Sequence, residues 1–175
     1  GVRDEDYVAA GATVGSAAQV LQGADIIFKV RAPDAAELAT YPKGAALLGL
    51  LDPYAAKAEA AAYAAAGVTA VAMEFIPRIT RAQSMDVLSS QANLAGYRAV
   101  IEGAQLYGRA LPMMMTAAGT VAAAKVFVMG AGVAGLQAIA TARRLGGVVS
   151  ATDVRPASKE QVASLGAKFI AVEDE

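Results

Sequence analysis

Residues 125–153 read KVFVMGAGVAGLQAIATARRLGGVVSATD, and this stretch decides the fold. It opens with the short apolar run 125–129, whose β-branched and aromatic residues are typical of a buried parallel strand. Gly130, Gly132 and Gly135 follow at the spacing G-x-G-x-x-G, and apolar side chains then recur at helical intervals. The pattern predicts a strand, a glycine-rich turn, a helix and a second strand.

Each glycine of this turn has a physical role in binding a dinucleotide. Gly130 permits the tight turn out of the strand, Gly132 lets the backbone approach a pyrophosphate, and Gly135 lets the helix pack closely on the strand. The helix N-terminus presents N–H groups and a positive dipole end to the phosphates. Asp153 ends the second strand, 21 residues after Gly132, where a carboxylate accepts hydrogen bonds from the adenosine ribose. The stretch predicts a dinucleotide site, against the alternative of a strand–helix turn that binds nothing.

The acid at the strand end also predicts which nucleotide binds. A carboxylate repels a 2′-phosphate, so Asp153 favours NAD(H) over NADP(H). Arg155 stands two residues later and is of the kind that reverses this preference, but Asp153 occupies the strand end itself. We therefore expect NAD(H) as the cofactor.

The composition argues against several classes of protein. Of the 175 residues, 56% are hydrophobic and 18% are charged, which allows a sizeable core and excludes wholesale disorder. A net charge of −1 without a basic block argues against nucleic acid as a partner. The chain has no cysteine and no histidine, so it offers no disulfide, thiol nucleophile or histidine base, and we expect no metal site. Charged residues and prolines interrupt every apolar stretch before the roughly 18 residues that a membrane span needs.

The first half of the chain alternates predicted strands with predicted helices. Strands are predicted at 12–14, 24–30, 45–51 and 68–75, and helices at 16–21, 34–40 and 54–66. Asp52 and Pro53 mark the start of the last of these helices, because Asp caps a helix and Pro suits its first position. This alternation indicates an α/β domain with a mainly parallel sheet.

We therefore predict an α/β protein with two Rossmann-like domains whose sheets are mainly parallel, spanning residues 1–90 and 91–175. A long helix from 85 to 107 joins them, and its apolar side is formed by Leu88, Ala92, Ala95, Ala99 and Ile101. The first domain begins part-way into a strand–helix unit, and the second stops after a third strand at 168–172. Because such domains commonly have about six strands, we expect both to be incomplete and the sequence to belong to a longer protein.

A second informative stretch, residues 76–90, follows the carboxyl end of the predicted strand 68–75. Open α/β sheets bind their ligands at that edge. The stretch is rich in donors and acceptors, namely Arg78, Arg81, Gln83, Asp86, Ser89 and Ser90. Periodicity alone favours a solvated loop with a helix cap, and a ligand-binding loop is the alternative.

Residues 77–100, PRITRAQSMDVLSSQANLAGYRAV, resemble the Arg-Gln-Asp loop and following helix of the proton-translocating NAD(P) transhydrogenases. Residues 116–119 and 125–175 are also similar to the NAD(H)-binding component of that family, which lies in the alpha subunit. The resemblance covers nearly the whole chain and is most specific from Met73 onward. The wider family includes alanine dehydrogenase, which shares the two-domain fold.

The resemblance implies roles for individual residues. Arg78, Gln83 and Asp86 would hold the nicotinamide end of NAD(H), assisted by Ser89, and no acid or base residue is expected. The pyrophosphate and adenosine ribose would be held by Gly130, Gly132, Val133, Gly135 and Asp153, with Val154 and Arg155 also among the cofactor-binding residues.

The resemblance also implies a reaction and partners. The family transfers a hydride directly between NADH and NADP⁺, which is bound on a separate domain, and a membrane domain couples the exchange to proton movement. It further implies a homodimer, on the cytoplasmic side of a bacterial inner membrane or in a mitochondrial matrix. Exchange of a hydride between two nicotinamides requires no general base, and an amide beside an Arg–Asp pair suits the orientation of a carboxamide.

Two alternatives stay open. An alanine dehydrogenase-like oxidoreductase must move protons at a substrate amine, and that family uses a histidine near the strand that corresponds to residues 45–51. Here the strand reads AALLGLL and the chain has no histidine, which disfavours this alternative. The other is a non-catalytic nucleotide-binding fragment that keeps the fold without turnover.

Overall fold

The computed structural model describes residues 1–55 and 57–171. They form two compact units, Gly1–Asp86 and Val87–Glu175, each with a parallel sheet and a hydrophobic core of its own. The prediction of an α/β fold with mainly parallel sheets is confirmed.

The first unit is built on a three-stranded parallel sheet with the order β1-β2-β3. Its elements are α1 (Asp4–Ala9), α2 (Ala17–Leu21), β1 (Ile26–Arg31), α3 (Ala35–Leu38), β2 (Ala46–Leu50), α4 (Lys57–Ala65) and β3 (Thr69–Ala72), followed by 3₁₀ helices at Met73–Phe75 and Thr80–Met85. Leu47, in the central strand, is fully buried in the core of this unit. The three strands end at one edge of the sheet, and the stretch 76–86 follows that edge.

Three predictions for this unit are wrong in detail. Residues 12–14 form no strand, because their side chains are exposed and they pair with no strand in the described part of the chain. Strand β3 ends at Ala72, since the backbone turns there into the 3₁₀ helix Met73–Phe75. Asp52 does not cap a helix at Pro53: it adopts a left-handed φ of 47°, and α4 begins at Lys57.

The second unit contains the long helix and the glycine-rich turn. Its elements are α5 (Val87–Tyr107), β4 (Met114–Thr116), β5 (Gly119–Val121), β6 (Lys125–Met129), α6 (Val133–Arg144), β7 (Val148–Thr152), α7 (Ser158–Ser164) and β8 (Lys168–Phe169). The order β6-β7-β8 is parallel throughout, and β4 pairs with β5 as an antiparallel hairpin. The strand expected at 168–172 is confirmed as β8 at its start, while Val172 lies outside the described residues.

Helix α5 packs on α6 at a glycine, and three residues of the predicted apolar side, Leu88, Ala92 and Ile101, are half-buried. Gly96 is buried, and a Cβ built on it would lie 2.1 Å from the carbonyl oxygen of Ala134 in α6. One turn away, the Asn93 amide donates to Gln137 Oε1 at 3.2 Å. Ala95 and Ala99, which were expected to be apolar contacts, are exposed. The two helix backbones approach closely because Gly96 has no side chain.

Candidate functional site

The glycine-rich turn lies between the carboxyl end of β6 and the first turn of α6. Gly130 has a left-handed φ of 92°, and its N–H donates to the Thr152 carbonyl of β7 at 2.8 Å. Gly132 is the N-cap residue of α6, with extended backbone at φ −76° and ψ −169°. The first N–H groups of an α-helix have no intrahelical acceptor, so the turn carries free donors and the positive dipole end of α6.

The glycines of this turn differ in what the fold requires of them. A Cβ at Gly135 would lie 1.8 Å from the Gly130 carbonyl oxygen, so only glycine lets α6 start so close to the turn. Around Gly132, by contrast, no described residue other than its two chain neighbours has an atom within 4 Å of an added Cβ, and its φ of −76° suits any residue. The fold needs a glycine at 135 but not at 132, where a Cβ would project into the open space above the helix N-terminus.

Asp153 lies directly after β7, as predicted, and its carboxylate contacts the glycine-rich turn. Asp153 Oδ2 accepts the Ala131 N–H at 2.6 Å and the Arg155 Nη2 at 3.2 Å. Asp153 Oδ1 accepts the backbone N–H of Arg155 at 2.8 Å and its Nε at 3.0 Å. The side chain of Asp153 is 6% exposed and that of Arg155 is 61% exposed. The carboxylate thus ties the turn to the end of β7.

These contacts fix the charge of the carboxylate. The Arg155 guanidinium, followed by the backbone N–H groups of Ala131 and Arg155, holds the pKa of Asp153 well below its usual range. The same pairing raises the pKa of Arg155. Asp153 is therefore an anion at any physiological pH.

The remaining candidates of this unit are more peripheral. Val133, in the first turn of α6, is 43% exposed, and Val154 is 98% exposed between Asp153 and Arg155. The structure thus brings Gly130, Gly132, Gly135, Asp153 and Arg155 together at one edge of the sheet β6-β7-β8. Sequence spacing pointed to the glycines and the acid, but it gave no sign that Asp153 binds Ala131 and Arg155.

In the first unit, the structure brings Arg78 and Asp86 together. Arg78 Nε lies 4.0 Å from Asp86 Oδ2, and the two side chains are 69% and 16% exposed. The 3₁₀ helix Thr80–Met85 connects them, anchored by the buried Ala82. Gln83 has an exposed side chain, and its carbonyl accepts the Asp86 N–H at 3.3 Å. Ser89 is half-buried in α5 and belongs to the second unit.

Two contacts that the sequence did not predict hold the start of this stretch. Glu74 Oε1 accepts the N–H of Asp52, the residue with the left-handed φ, at 2.7 Å. The rings of Tyr54 and Phe75 meet edge to face, with centroids 5.4 Å apart. Both contacts fasten the chain at 73–75 to the turn after β2. The stretch from Pro77 therefore starts from a fixed point.

A parallel α/β unit with this turn and this acid is the architecture of Rossmann-like nucleotide-binding proteins. Family models agree with that class: alanine dehydrogenase/PNT, N-terminal domain, matches residues 1–95, and alanine dehydrogenase/PNT, C-terminal domain, matches residues 99–175. The chain belongs to the alanine dehydrogenase/PNT family, which confirms the resemblance found in its motifs. Membership implies a nicotinamide nucleotide cofactor.

Relatives within the family favour its transhydrogenase branch. The chain is 58% identical, over 99% of its length, to an NAD(P) transhydrogenase subunit alpha from Rhodospirillum rubrum, of which it covers 47%. It matches the crystal structure of transhydrogenase from Sinorhizobium meliloti with a TM-score of 0.93 and 69% identity, covering 97% of this chain and 51% of that one. An L-alanine dehydrogenase structure matches with a TM-score of 0.83 and 27% identity, covering 99% of this chain and 49% of that one. The chain thus spans about half the length of the curated relatives it matches.

The name "subunit alpha" implies that these relatives assemble with further subunits. Within the described residues, no helix combines the length and the apolar character that crossing a membrane requires.

Proposed function

We propose that this chain binds NAD(H) and presents it for direct hydride transfer to NADP⁺ on a partner domain, in a reaction that a membrane domain couples to proton translocation. The observation that carries the proposal is the open space at Gly132. The fold would accept any residue at this position, yet the chain has a glycine, which leaves the space at the N-terminus of α6 unfilled. The 58% identity to a transhydrogenase alpha subunit supports the same function.

The residues of the second unit would hold the adenosine half of the cofactor. The N–H groups of the first turn of α6, among them that of Val133, bind the pyrophosphate. Asp153 accepts the ribose hydroxyls, and as a permanent anion it excludes a 2′-phosphate. Val154 and Arg155 follow Asp153 directly in the chain and complete the proposed set of residues at the ribose end. NAD(H) is thereby preferred over NADP(H).

Residues of the stretch 78–89 would orient the nicotinamide. The bound cofactor supplies the hydride, and no proton is exchanged at the reacting carbons, so the chain needs no acid or base. Arg78 and Asp86 form a charged pair beside Gln83, and Ser89 assists, so that the carboxamide is fixed and the reacting carbon is aligned. Within this proposal, residues 1–90 and 91–175 act as the two domains.

The rest of the assembly follows from the family resemblance. We propose a homodimer that docks on an NADP(H)-binding domain and a membrane proton-channel domain. Its place is the cytoplasmic face of a bacterial inner membrane, or the mitochondrial matrix in a eukaryote.

The first test is Gly132→Ala, with NADH binding followed by fluorescence titration. Because the fold leaves room for this methyl group, we expect unchanged thermal stability and at least a roughly tenfold loss of NADH affinity. Gly103→Ala is the matched control, since a Cβ at this position of α5 also has no described atom within 4 Å and lies away from the turn. Equal NADH affinity in the two variants would contradict the assignment of the pyrophosphate to this turn.

Measurements of turnover distinguish the transhydrogenase component from the two alternatives left open by the sequence. Hydride transfer from NADH to an NADP⁺ analogue, with the partner domain present, is expected of a transhydrogenase component. Reduction of NAD⁺ that depends on alanine would instead support the alanine dehydrogenase alternative, and binding without turnover would support a non-catalytic fragment.

A further inference from the structure

The carboxylate of Asp153 has its acceptor positions filled by two kinds of donor. Two are backbone N–H groups, of Ala131 and Arg155, which the fold fixes in place. The other two, Nε and Nη2, belong to the guanidinium of Arg155. An ionised carboxylate offers about four lone-pair sites, so this pattern leaves none for a new donor.

The two kinds of donor differ in how easily they can move away from the Asp153 carboxylate. Ala131 is buried within the core of the second unit, and its N–H cannot move without the turn. The guanidinium ends a flexible side chain that is 61% exposed, so it can swing into solvent at little steric cost. Only Arg155 can vacate positions on Asp153 while the turn stays intact.

A ribose has two neighbouring hydroxyl donors, and these can replace the two guanidinium donors one for one. We propose that Arg155 is a displaceable latch, which occupies the ribose-binding positions of Asp153 and must release them when NAD(H) binds. This inference rests on the proposed function of the site. Arg155 then acts as a specificity-determining residue, because it competes with the ribose and partly neutralises the carboxylate that repels a 2′-phosphate.

The latch predicts opposite effects of one substitution on the two nucleotides. Arg155→Ala removes the competitor, so we expect NADH to bind roughly two- to fivefold more tightly, as the usual strength of an exposed ion pair suggests. It also leaves Asp153 uncompensated, so NADPH should bind about twofold more weakly or worse. If Arg155 contacted the bound nucleotide instead, its loss would weaken NADH binding.

The experiment titrates NADH and NADPH into the full chain and into three variants. Besides Arg155→Ala, Arg155→Lys keeps the charge without the two-pronged donor and should give an intermediate NADH affinity. Arg98→Ala is the matched control, because Arg98 is 68% exposed and pairs with Glu102 on α5, away from the turn. It should leave both affinities unchanged.

A spectroscopic measurement tests the displacement directly. In a ¹H–¹⁵N spectrum, the Nε–H signal of Arg155, assigned by its absence in Arg155→Lys, should move to a solvent-exposed position when NADH is added. An Nε–H signal that stays in place at saturating NADH would overturn the latch. So would an unchanged or weakened NADH affinity in Arg155→Ala. If the unmodified chain bound no NADH, the proposed function itself would fail and the latch with it.

Discussion

Two charged side chains, Asp153 and Arg155, and two glycines, Gly132 and Gly135, define the proposed nucleotide half of the site. The two glycines of this short motif meet different requirements, one of the fold and one of the proposed binding site. Gly135 is demanded by the fold, since its Cβ would meet the Gly130 carbonyl at 1.8 Å, whereas the space at Gly132 is open. A substitution at 135 should therefore harm folding and binding together, while one at 132 should harm binding alone.

The lowered pKa of Asp153 predicts that the free energy of unfolding depends on pH. Its pKa is lower in the folded protein than in the unfolded chain, so the folded state gains stability above the unfolded value of about 4. That gain should be lost progressively as the pH falls from about 5 toward the lower pKa of the folded state.

The measurement compares the unmodified chain with Asp153→Asn by urea unfolding between pH 7 and pH 3. Asn keeps a carbonyl oxygen that can accept the Ala131 N–H but has no charge to titrate. The difference in the free energy of unfolding between the two proteins should shrink as the pH falls. Glu37, whose pKa is lowered chiefly by its hydrogen bond from Lys29, titrates in both proteins and cancels. A difference that stays constant with pH would contradict the role of the Asp153 charge.

Among the helices, the close contact of α5 with α6 helps to determine where α6 and the glycine-rich turn before it lie. Gly96→Ala would place a Cβ 2.1 Å from the Ala134 carbonyl oxygen, in the first turns of α6. Because backbone has to move to accommodate it, we expect a loss of about 1–3 kcal/mol in the free energy of unfolding.

The matched control is again Gly103→Ala, in the same helix. Its Cβ meets no described atom within 4 Å, and replacing a helical glycine by alanine should stabilise the protein by about 0.5–1 kcal/mol. Chemical denaturation of both variants gives the comparison. Equal stability of the two variants would show that the contact at Gly96 relaxes freely.

The strands and helices show which elements a sequence can predict. β6, α6 and β7 are set by local patterns of period and glycine spacing, and they appear where the patterns place them. Asp52 shows where prediction from local patterns fails. Its dipeptide with Pro53 is typical of a helix start, but its N–H donates to Glu74, 22 residues away, and the backbone turns left-handed instead. No local pattern carries that contact.

The packing of α5 also depends on contacts that no local pattern predicts. Sequence periodicity selected larger residues as the contact side, and Leu88, Ala92 and Ile101 are half-buried, but the fully buried residue of α5 is Gly96. A glycine can be a contact only when a second backbone comes close to it, and that depends on α6 rather than on the sequence of α5. Likewise, the spacing of Asp153 predicted its position but not its occupation by Arg155.

For the whole molecule, the proposal assigns different portions of NAD(H) to the glycine-rich turn and to residues 78–86. ADP-ribose contains the pyrophosphate and the adenosine ribose but lacks the nicotinamide. In hydrogen-exchange measurements, both ADP-ribose and NADH should protect the backbone around Gly130–Gly135, because the donors of the turn bind the shared half. Only NADH should add protection to residues 78–86, where Arg78, Gln83 and Asp86 are proposed to orient the nicotinamide.

Arg78→Ala tests the role of this stretch with a single substitution. Arg78 is 69% exposed and its pair with Asp86 has a separation of 4.0 Å, so its loss should leave the fold and the binding of ADP-ribose intact. Protection of 78–86 by NADH should then fall, together with the rate of hydride transfer to NADP⁺ when the partner domain is present. If ADP-ribose and NADH protected 78–86 equally in the unmodified chain, that stretch would not be responding to the nicotinamide. The role given to Arg78, Gln83 and Asp86 would then be wrong, while the assignment of the turn and Asp153 would stand.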